Sequence, residues 1–246
     1  MTGESMGRRT TIDSVNWNRL IVTCLVLWAL LAAAFAFLDL PISVAVVNRD
    51  STWGRWLARW GEEPGLISGT IAFALVVVMG LVGLIRLVPR FAENNALLLP
   101  RSIRAYAWTT FAMLALNRFL FVPLGKLYWG RVRFKDLDPT HADFTPWYVV
   151  NGVTGHFSFP SGHSAAGWLL LPLVFLAMRA PKFVQIAVLM ASATWGIAVS
   201  LSRVRVGAHY ASDVLFSTGV SVVIFLLCFR HFYPRGLGAP GRSAAN

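Results

Sequence analysis

The segment from Ser202 to Asp213, SRVRVGAHYASD, carries an arginine, a histidine and an aspartate at a spacing that could do chemistry. His209 and Asp213 are four residues apart, which places them on one face if a helix begins near here. A carboxylate bonded to one ring nitrogen fixes the tautomer and leaves the other nitrogen free to act as a nucleophile. Arg203 has the planar fork that matches a tetrahedral oxyanion. The segment predicts a histidine nucleophile beside an anion-binding arginine.

Two other segments supply groups that could serve the same chemistry. Lys126 and Arg133, in KLYWGRVRF, offer positive charge and N–H donors. In PSGH, Ser161 and Gly162 precede a predicted helix whose free N–H groups attract phosphate, and glycine lets the backbone come close. His163 could protonate a departing oxygen. These residues predict a phosphate cradle with two histidines in separate roles, as two-step transfer through a phosphohistidine requires.

The elements that must position these residues are membrane helices. With 56% hydrophobic residues, 13% charged residues and a mean hydropathy of +0.60, the chain is too apolar for a soluble domain of its length. A helix of roughly 20 apolar residues crosses a bilayer. We predict an all-α fold, one domain over residues 1–246 built as a six-transmembrane-helix bundle, with spans at about 20–40, 66–87, 105–125, 163–178, 183–201 and 212–229. The fourth span is the shortest and contains Pro172, so the sequence leaves its tilt open.

This topology brings the three segments to one membrane face, because successive spans alternate in direction. Taken alone, each segment has a structural explanation: basic side chains at a span end snorkel, Pro-Ser-Gly is an ordinary turn, and a His–Asp pair can be a surface contact. Together they line one pocket at the ends of four helices. A pocket with several cations and two histidines predicts an anionic ligand.

The distribution of Lys and Arg predicts which face this is. Cytoplasmic segments carry an excess of basic residues. One side of the bundle collects Arg8, Arg9, Arg19, Arg86, Arg90, Arg101, Arg104, Arg179, Lys182, Arg230, Arg235 and Arg242, against Glu4, Asp13 and Glu93. We therefore expect cytoplasmic tails at about 1–19 and 230–246 and an extracytoplasmic site in a multi-pass cell membrane protein, such as one of a bacterial inner membrane. The net charge of +11 reflects topology and does not call for nucleic acid.

Several other features bear on the organisation of the chain. Trp53, Trp56 and Trp60 recur at helical spacing, which predicts a helix on the bilayer surface that anchors the protein. Cys24 and Cys228 fall inside predicted spans and are interpreted as buried thiols. A cleaved signal at residues 20–40 is an alternative, since Ala34-Phe35-Ala36 resembles a cleavage site, but the apolar run exceeds the 7–15 residues of a typical signal.

The three segments, in this order, resemble the motifs of the type 2 phosphatidic acid phosphatase family, which shares its site architecture with vanadium haloperoxidases. The family pattern is Lys, six residues, Arg-Pro; then Pro-Ser-Gly-His; then Ser-Arg, five residues, His, three residues, Asp. Every pattern position matches except Phe134, where the family has proline. The likeness covers roughly residues 105–230.

The resemblance implies the same roles as the residues themselves. His209 would be the nucleophile, Asp213 its support and His163 the proton donor. The phosphate would be held by Lys126, Arg133, Ser161, Gly162 and Arg203. It also implies a six-helix membrane core and chemistry that requires no metal or other cofactor.

The predicted function is removal of the terminal phosphate from a lipid phosphate or diphosphate at the outer leaflet. Phosphatidate, phosphatidylglycerol phosphate, polyprenyl diphosphate and lipid A all stay open as substrates. A lipid phosphotransferase with the same phosphohistidine is the main alternative, and a vanadate-dependent oxidant or a non-catalytic lipid transporter fits less well. Arg118 could line the pocket or snorkel, and Arg131, Arg205, His156 and Tyr210 flank the motifs without an assigned catalytic role.

Thiol labelling tests the predicted orientation. With Cys24 and Cys228 replaced by alanine, a cysteine placed between residues 140 and 150 should react in intact cells with a membrane-impermeant reagent. A cysteine between residues 90 and 98 should react only after permeabilisation. The opposite pattern would overturn the orientation.

Overall fold

The computed structural model describes residues 15–87 and 98–236, and within these ranges every regular element is helical. The elements are α1 (Trp17–Val46), α2 (Thr52–Trp60), α3 (Glu63–Ile85), α4 (Arg101–Met113), a π-helix (Leu114–Phe121), α5 (Val122–Trp129), a 3-10 turn (Phe134–Asp136), α6 (Gly162–Gly167), a 3-10 helix (Trp168–Phe175), α7 (Lys182–Arg205) and α8 (Ala211–Phe232). The predicted all-α class is confirmed. Arg8, Arg9, Arg90 and Arg242, with Glu4, Asp13 and Glu93 of the charge count, lie outside the described residues.

Five helical segments in the described ranges are long and apolar enough to cross a membrane. They overlap the first, second, third, fifth and sixth predicted spans, with ends that differ from the predicted ones. The fourth predicted span is a shorter apolar helix, Gly162–Phe175, that changes from α to 3-10 geometry at Trp168. The protein is thus a multi-pass membrane protein by the length and composition of its helices, while the six-span bundle stays a prediction.

The short fourth segment lies in the middle of the bundle, which explains why it is apolar on every side. Leu169, Val174 and Phe175 are fully buried there. They pack into a core with residues of α4 and α8. By contrast, α1 and α3 expose many of their large apolar side chains, including Leu30, Phe37 and Leu84, as expected of surfaces that face lipid.

Glycines allow α3 and α7 to approach this central segment closely. A Cβ atom at Gly65 in α3 would lie 1.9 Å from the carbonyl oxygen of Ala166. A Cβ atom at Gly196 in α7 would lie 2.6 Å from the ring of Trp168. Both distances exclude a side chain, so the bundle depends on glycine at these contacts.

Polar side chains join the third span to α8. Asn117, in the π-helix, donates through Nδ2 to the carbonyl oxygen of Ser217 and to Oγ of Ser221, both at 2.7 Å. A π-helical stretch inside an α-helix shifts the register of the side chains that follow it and is common beside functional sites. The chain after Asn117 leads directly to Arg118 and Lys126.

The predicted surface segment does form a helix, α2. Trp53, Trp56 and Trp60 are exposed on it. The helix packs against α7, where the carbonyl oxygen of Ala58 accepts a hydrogen bond from Nη1 of Arg203 at 3.0 Å. It therefore lies beside the end of α7 that carries the predicted site.

Candidate active site

The predicted site residues meet at one end of the bundle. Lys126 is in the last turn of α5, His163 is in α6, Arg203 is in the last turn of α7, and Asp213 is in the first turn of α8. Lys126, Arg203 and His209 are all close enough to His163 to interact with it electrostatically, and Arg133 interacts in the same way with Lys126. Groups from four helices and two loops thus form one cluster.

The turn between α7 and α8 explains the spacing of SRVRVGAHYASD. Gly207 adopts a positive φ of 71°, which ends α7 with a left-handed residue. The chain then folds back, and the N–H groups of Ala208 and His209 donate to the carbonyl oxygen of Arg203 at 3.0 and 3.2 Å. The predicted nucleophile therefore lies directly beside the predicted phosphate-binding arginine.

His209 is buried, with 2% of its side chain exposed, and faces Asp213. Its Nδ1 lies 3.4 Å from Oδ2 of Asp213, close enough for an electrostatic contact but without the alignment of a hydrogen bond. Burial lowers the pKa of His209 to about 4, although the negative charge of Asp213 acts in the opposite direction. At neutral pH the imidazole is uncharged, and the nitrogen that does not face Asp213 keeps its lone pair.

Asp213 is itself fully buried and holds several parts of the site together. Its Oδ2 accepts hydrogen bonds from Oγ of Ser158 at 2.6 Å and from the N–H of Tyr210 at 2.9 Å. Its Oδ1 accepts from Nη1 of Arg131 at 2.7 Å. The backbone N–H of Ser161 donates to its carbonyl oxygen at 3.1 Å, so Asp213 also fixes the start of the PSGH helix.

Arg131 lies behind the predicted site residues, although its position in the sequence predicted no role for it. It is completely buried, and its Nη2 donates to Oδ2 of Asp39 in α1 at 2.9 Å. The guanidinium lies over the ring of Tyr210, 3.9 Å from its centroid. Ser212 links Asp39 to Arg131. Its backbone N–H donates to Oδ1 of Asp39 at 2.9 Å, and its hydroxyl donates to Oδ2 of Asp39 and accepts from Nη1 of Arg131. The sequence offers one signal for this network, namely the lone aspartate inside an otherwise apolar first span.

The cations of the predicted cradle have hydrogen-bonding capacity that the protein does not use. Lys126 donates to the carbonyl oxygen of Phe157 at 2.7 Å. Arg118, Arg133 and Arg203 each have a buried Nε–H with no acceptor in the protein. Buried donors of this kind are normally satisfied, so three in one cluster indicate a site for an anion.

Ser161 and Gly162 stand at the start of α6, as predicted. Oγ of Ser161 accepts from the N–H of Ser164 at 3.3 Å, so this hydroxyl caps the helix. The N–H groups of the following turn have no acceptor within the helix. A Cβ atom at Gly162 would lie 3.5 Å from Nη1 of Arg118, so this guanidinium lies next to the start of α6.

Glu62 is a second residue at the site that sequence reasoning missed. It lies at the junction of α2 and α3, with Oε1 3.3 Å from Nε2 of His163. Its Oε2 is 4.0 Å from Nη2 of Arg118. The position has no motif around it, and its contact with the site depends on how α2 and α3 fold over the end of α6.

Phe134 replaces the family proline without disrupting the loop. Arg133 precedes a 3-10 turn that starts at Phe134, and the N–H of Lys135 donates to the carbonyl oxygen of Gly207 at 3.0 Å. The Phe134 ring packs edge-on against Tyr210, with centroids 6.4 Å apart. Packing and this backbone hydrogen bond hold the segment where proline would have stiffened it.

Over residues 15–87 and 98–236, no group of three or more His, Cys, Asp and Glu side chains lies close enough together to bind a metal ion. The donors that converge at the site are cationic or neutral N–H groups, which suit an anionic ligand.

Comparison with known proteins agrees with the motifs. A family model described as the PAP2 superfamily matches residues 105–236. A phosphatidylglycerophosphatase B from Haemophilus influenzae is 37% identical over 91 residues, which make up 35% of this chain and 37% of that protein. The match thus spans little more than a third of the curated relative. The crystal structure of a transmembrane PAP2-type phosphatidylglycerolphosphate phosphatase from Bacillus subtilis aligns over 85% of this chain and 93% of that chain, with 20% identity and a TM-score of 0.45.

The Arg131 network predicts a large loss of stability when its cation is removed. Arg131→Met leaves Asp39 and Asp213 buried without their partner, so the free energy of unfolding should fall by about 3–5 kcal/mol. Thermal unfolding of the purified protein in detergent measures this. Arg104→Met, which changes an exposed arginine near the start of α4, is the matched control and should shift stability by less than about 0.5 kcal/mol.

A second substitution separates stability from positioning. Adding Asp39→Leu to Arg131→Met removes one unpaired carboxylate and should recover part of the lost stability. Phosphate release should stay low, because Asp213 still lacks the cation that orients it. A double variant that regained both stability and activity would contradict a positioning role for Arg131.

Proposed function

Because the chain belongs to the PAP2 superfamily, we propose that it is an integral membrane phosphatase that hydrolyses the terminal phosphate of a lipid phosphate or diphosphate. The observation that carries the proposal is the arrangement at the turn after α7. There a buried, neutral His209 is backed by Asp213 and lies beside Arg203, whose Nε–H has no acceptor. A neutral nitrogen nucleophile next to an unsatisfied cation suits attack on a phosphate.

The proposed reaction has two steps. In the first, the free ring nitrogen of His209 attacks phosphorus and the P–O bond to the leaving group breaks. His163, which enters this step protonated, gives its proton to the leaving oxygen. Asp213 stabilises the positive charge that develops on His209. In the second, His163 takes a proton from water, the resulting oxygen nucleophile attacks phosphorus, and the N–P bond breaks to release phosphate and the neutral imidazole.

The cationic cluster would stabilise the charge on the transferring phosphoryl group. Lys126, Arg133 and Arg203 offer charged donors, and Ser161 and Gly162 stand at the start of α6 beside them. Arg118 adds a further guanidinium. We propose that these groups neutralise the phosphate without a divalent ion.

The position of the site supports a lipid as substrate. It lies at the ends of membrane helices, beside a helix with exposed tryptophans, so an acyl or prenyl chain could remain in the bilayer while its phosphate enters the cradle. The excess of Lys and Arg at the opposite end of the bundle supports an extracytoplasmic face for the site. We therefore place hydrolysis at the outer leaflet.

Chelation tests the proposed independence from metal. After dialysis against EDTA, phosphate release from a lipid phosphate in detergent should be unchanged, because side-chain cations supply the positive charge. Vanadate should inhibit, since it can adopt the five-coordinate geometry of the transferring phosphoryl group. Loss of activity in EDTA with recovery on adding magnesium would contradict the proposal.

Trapping the intermediate tests the nucleophile. Brief reaction with a labelled substrate should yield a protein adduct that survives alkaline quenching and is lost on acid quenching, as expected of phosphohistidine. His209→Ala should abolish both the adduct and turnover, because water lacks the positioned nitrogen. A His209→Ala protein that turned over lipid phosphate at the wild-type rate would refute the mechanism.

Two further variants serve as controls for the assigned roles. His163→Ala should slow hydrolysis of a lipid phosphate by about 10²–10⁴-fold, but should affect p-nitrophenyl phosphate much less, because p-nitrophenolate leaves without a proton. Asp213→Asn should reduce the rate by disturbing the orientation of His209. Equal effects of His163→Ala on both substrates would exclude its role as proton donor.

A further inference from the structure

An open basin of about 340 Å³ adjoins the phosphate cradle on the side of α2. Its charged lining is entirely basic: Arg49, Arg55, Arg59, Lys135 and Arg203. Arg203 belongs to both the basin and the cradle, so the two spaces share a wall. The catalytic steps use only Arg203 of this set, which leaves four cations without a role.

The amphipathic pattern of α2 builds the basin. Arg55 and Arg59 are four residues apart and face it together, while Trp53, Trp56 and Trp60 repeat on another face and are exposed. Gly54 lets α2 sit close to α7, because a Cβ atom there would lie 3.1 Å from Cγ of Arg205. A helix that anchors in the interface thus presents two arginines at the depth of the lipid headgroups.

Acidic neighbours do not neutralise these cations. Asp50 lies 3.9 Å from Arg55, and both side chains are well exposed, so the pair is weak. Asp136 lies 3.9 Å from Lys135, and both of these side chains are only partly exposed. Arg59 stacks on Trp60 at 5.0 Å, which orients the guanidinium without reducing its charge. The basin therefore keeps a net positive charge.

In an inference that rests on the proposed function, we propose that this basin binds a second phosphate of the substrate. This is the phosphate that stays on the lipid when the terminal phosphate is removed. Arg203 is one of the residues proposed to hold the scissile phosphate, and its side chain also lines the basin. A substrate with two phosphates fills both spaces. A lipid with a single phosphate leaves the basin without an anionic group and gains nothing from its arginines.

The experiment compares substrates that differ by one phosphate. Arg55→Gln, Arg59→Gln and the double variant are assayed in detergent on short-chain phosphatidylglycerol phosphate against phosphatidate, and on farnesyl diphosphate against farnesyl phosphate. For at least one of the two substrates that carry two phosphates, kcat/KM should fall about tenfold or more in the double variant, as loss of a charged hydrogen bond predicts. For phosphatidate and farnesyl phosphate, which carry one phosphate each, kcat/KM should stay unchanged. Arg104→Gln, a change of an exposed arginine in α4, is the control and should alter neither.

Each outcome is informative about the source of the anion. A loss of activity confined to phosphatidylglycerol phosphate means that the basin binds a phosphate separated from the scissile one by glycerol. A loss of activity confined to farnesyl diphosphate means that it binds a phosphate directly bonded to the scissile one. An equal loss of activity on one- and two-phosphate substrates would mean that the basin attracts anionic lipids in general. Activity on both kinds of substrate that responds to added phosphatidylglycerol would mean the same. Either outcome would overturn the inference.

The one-phosphate substrates separate this inference from the proposed function. One possible result is that every variant hydrolyses phosphatidate and farnesyl phosphate normally and also acts on the two-phosphate substrates at the wild-type rate. That result would overturn the proposed role of the basin and leave the phosphatase proposal intact. A wild-type protein that released phosphate from none of the four lipids would overturn both.

Discussion

The buried carboxylate of Asp213 is the group on which the rest of the site depends. A buried carboxylate must accept hydrogen bonds from nearby donors, because otherwise its charge destabilises the fold by several kcal/mol. Arg131, Ser158 and the backbone of Tyr210 supply those donors from three segments that are distant in sequence. Satisfying one carboxylate therefore draws the segment after α5, the loop before α6 and the start of α8 to the same point. The same convergence brings Lys126 and His163 beside His209.

The first helix takes part in this constraint through Asp39. Most of α1 faces outward with large apolar side chains, yet Asp39 is fully buried and pairs with Arg131. An ionised side chain inside a membrane helix is costly unless it has a partner in the bundle. The Asp39–Arg131–Asp213 series thus fixes the rotation of α1 against α8 and orients the carboxylate behind His209 at the same time.

Two groups of charges at this end of the bundle differ in how fully they are paired. In the network around Arg131, the guanidinium donates to two carboxylates, a hydroxyl and the carbonyl oxygen of Thr145, and little bonding capacity is left over. In the cradle and the adjoining basin, cations outnumber acids and several buried N–H groups have no acceptor. A satisfied network rigidifies, whereas an unsatisfied one attracts a ligand. Glu62 lies at the edge of the second group, where it offers a carboxylate to His163 and Arg118.

The sequence by itself determined the class of fold, the extent of most helices and the identity of the groups that meet at the site. Long apolar runs are typical of membrane-spanning helices. The side chains of His209, Asp213 and Arg203 have chemical properties that follow from their residue types alone. Only the tertiary structure decided that the short central segment, whose 3-10 stretch contains Pro172, is buried among α3, α4, α7 and α8. It also decided that Arg131 rather than Arg133 is buried against Asp39 and Asp213, and that Glu62 and the arginines of α2 border the cradle. These contacts join residues far apart in the chain, and local sequence patterns contain no information on which distant helix will supply a partner.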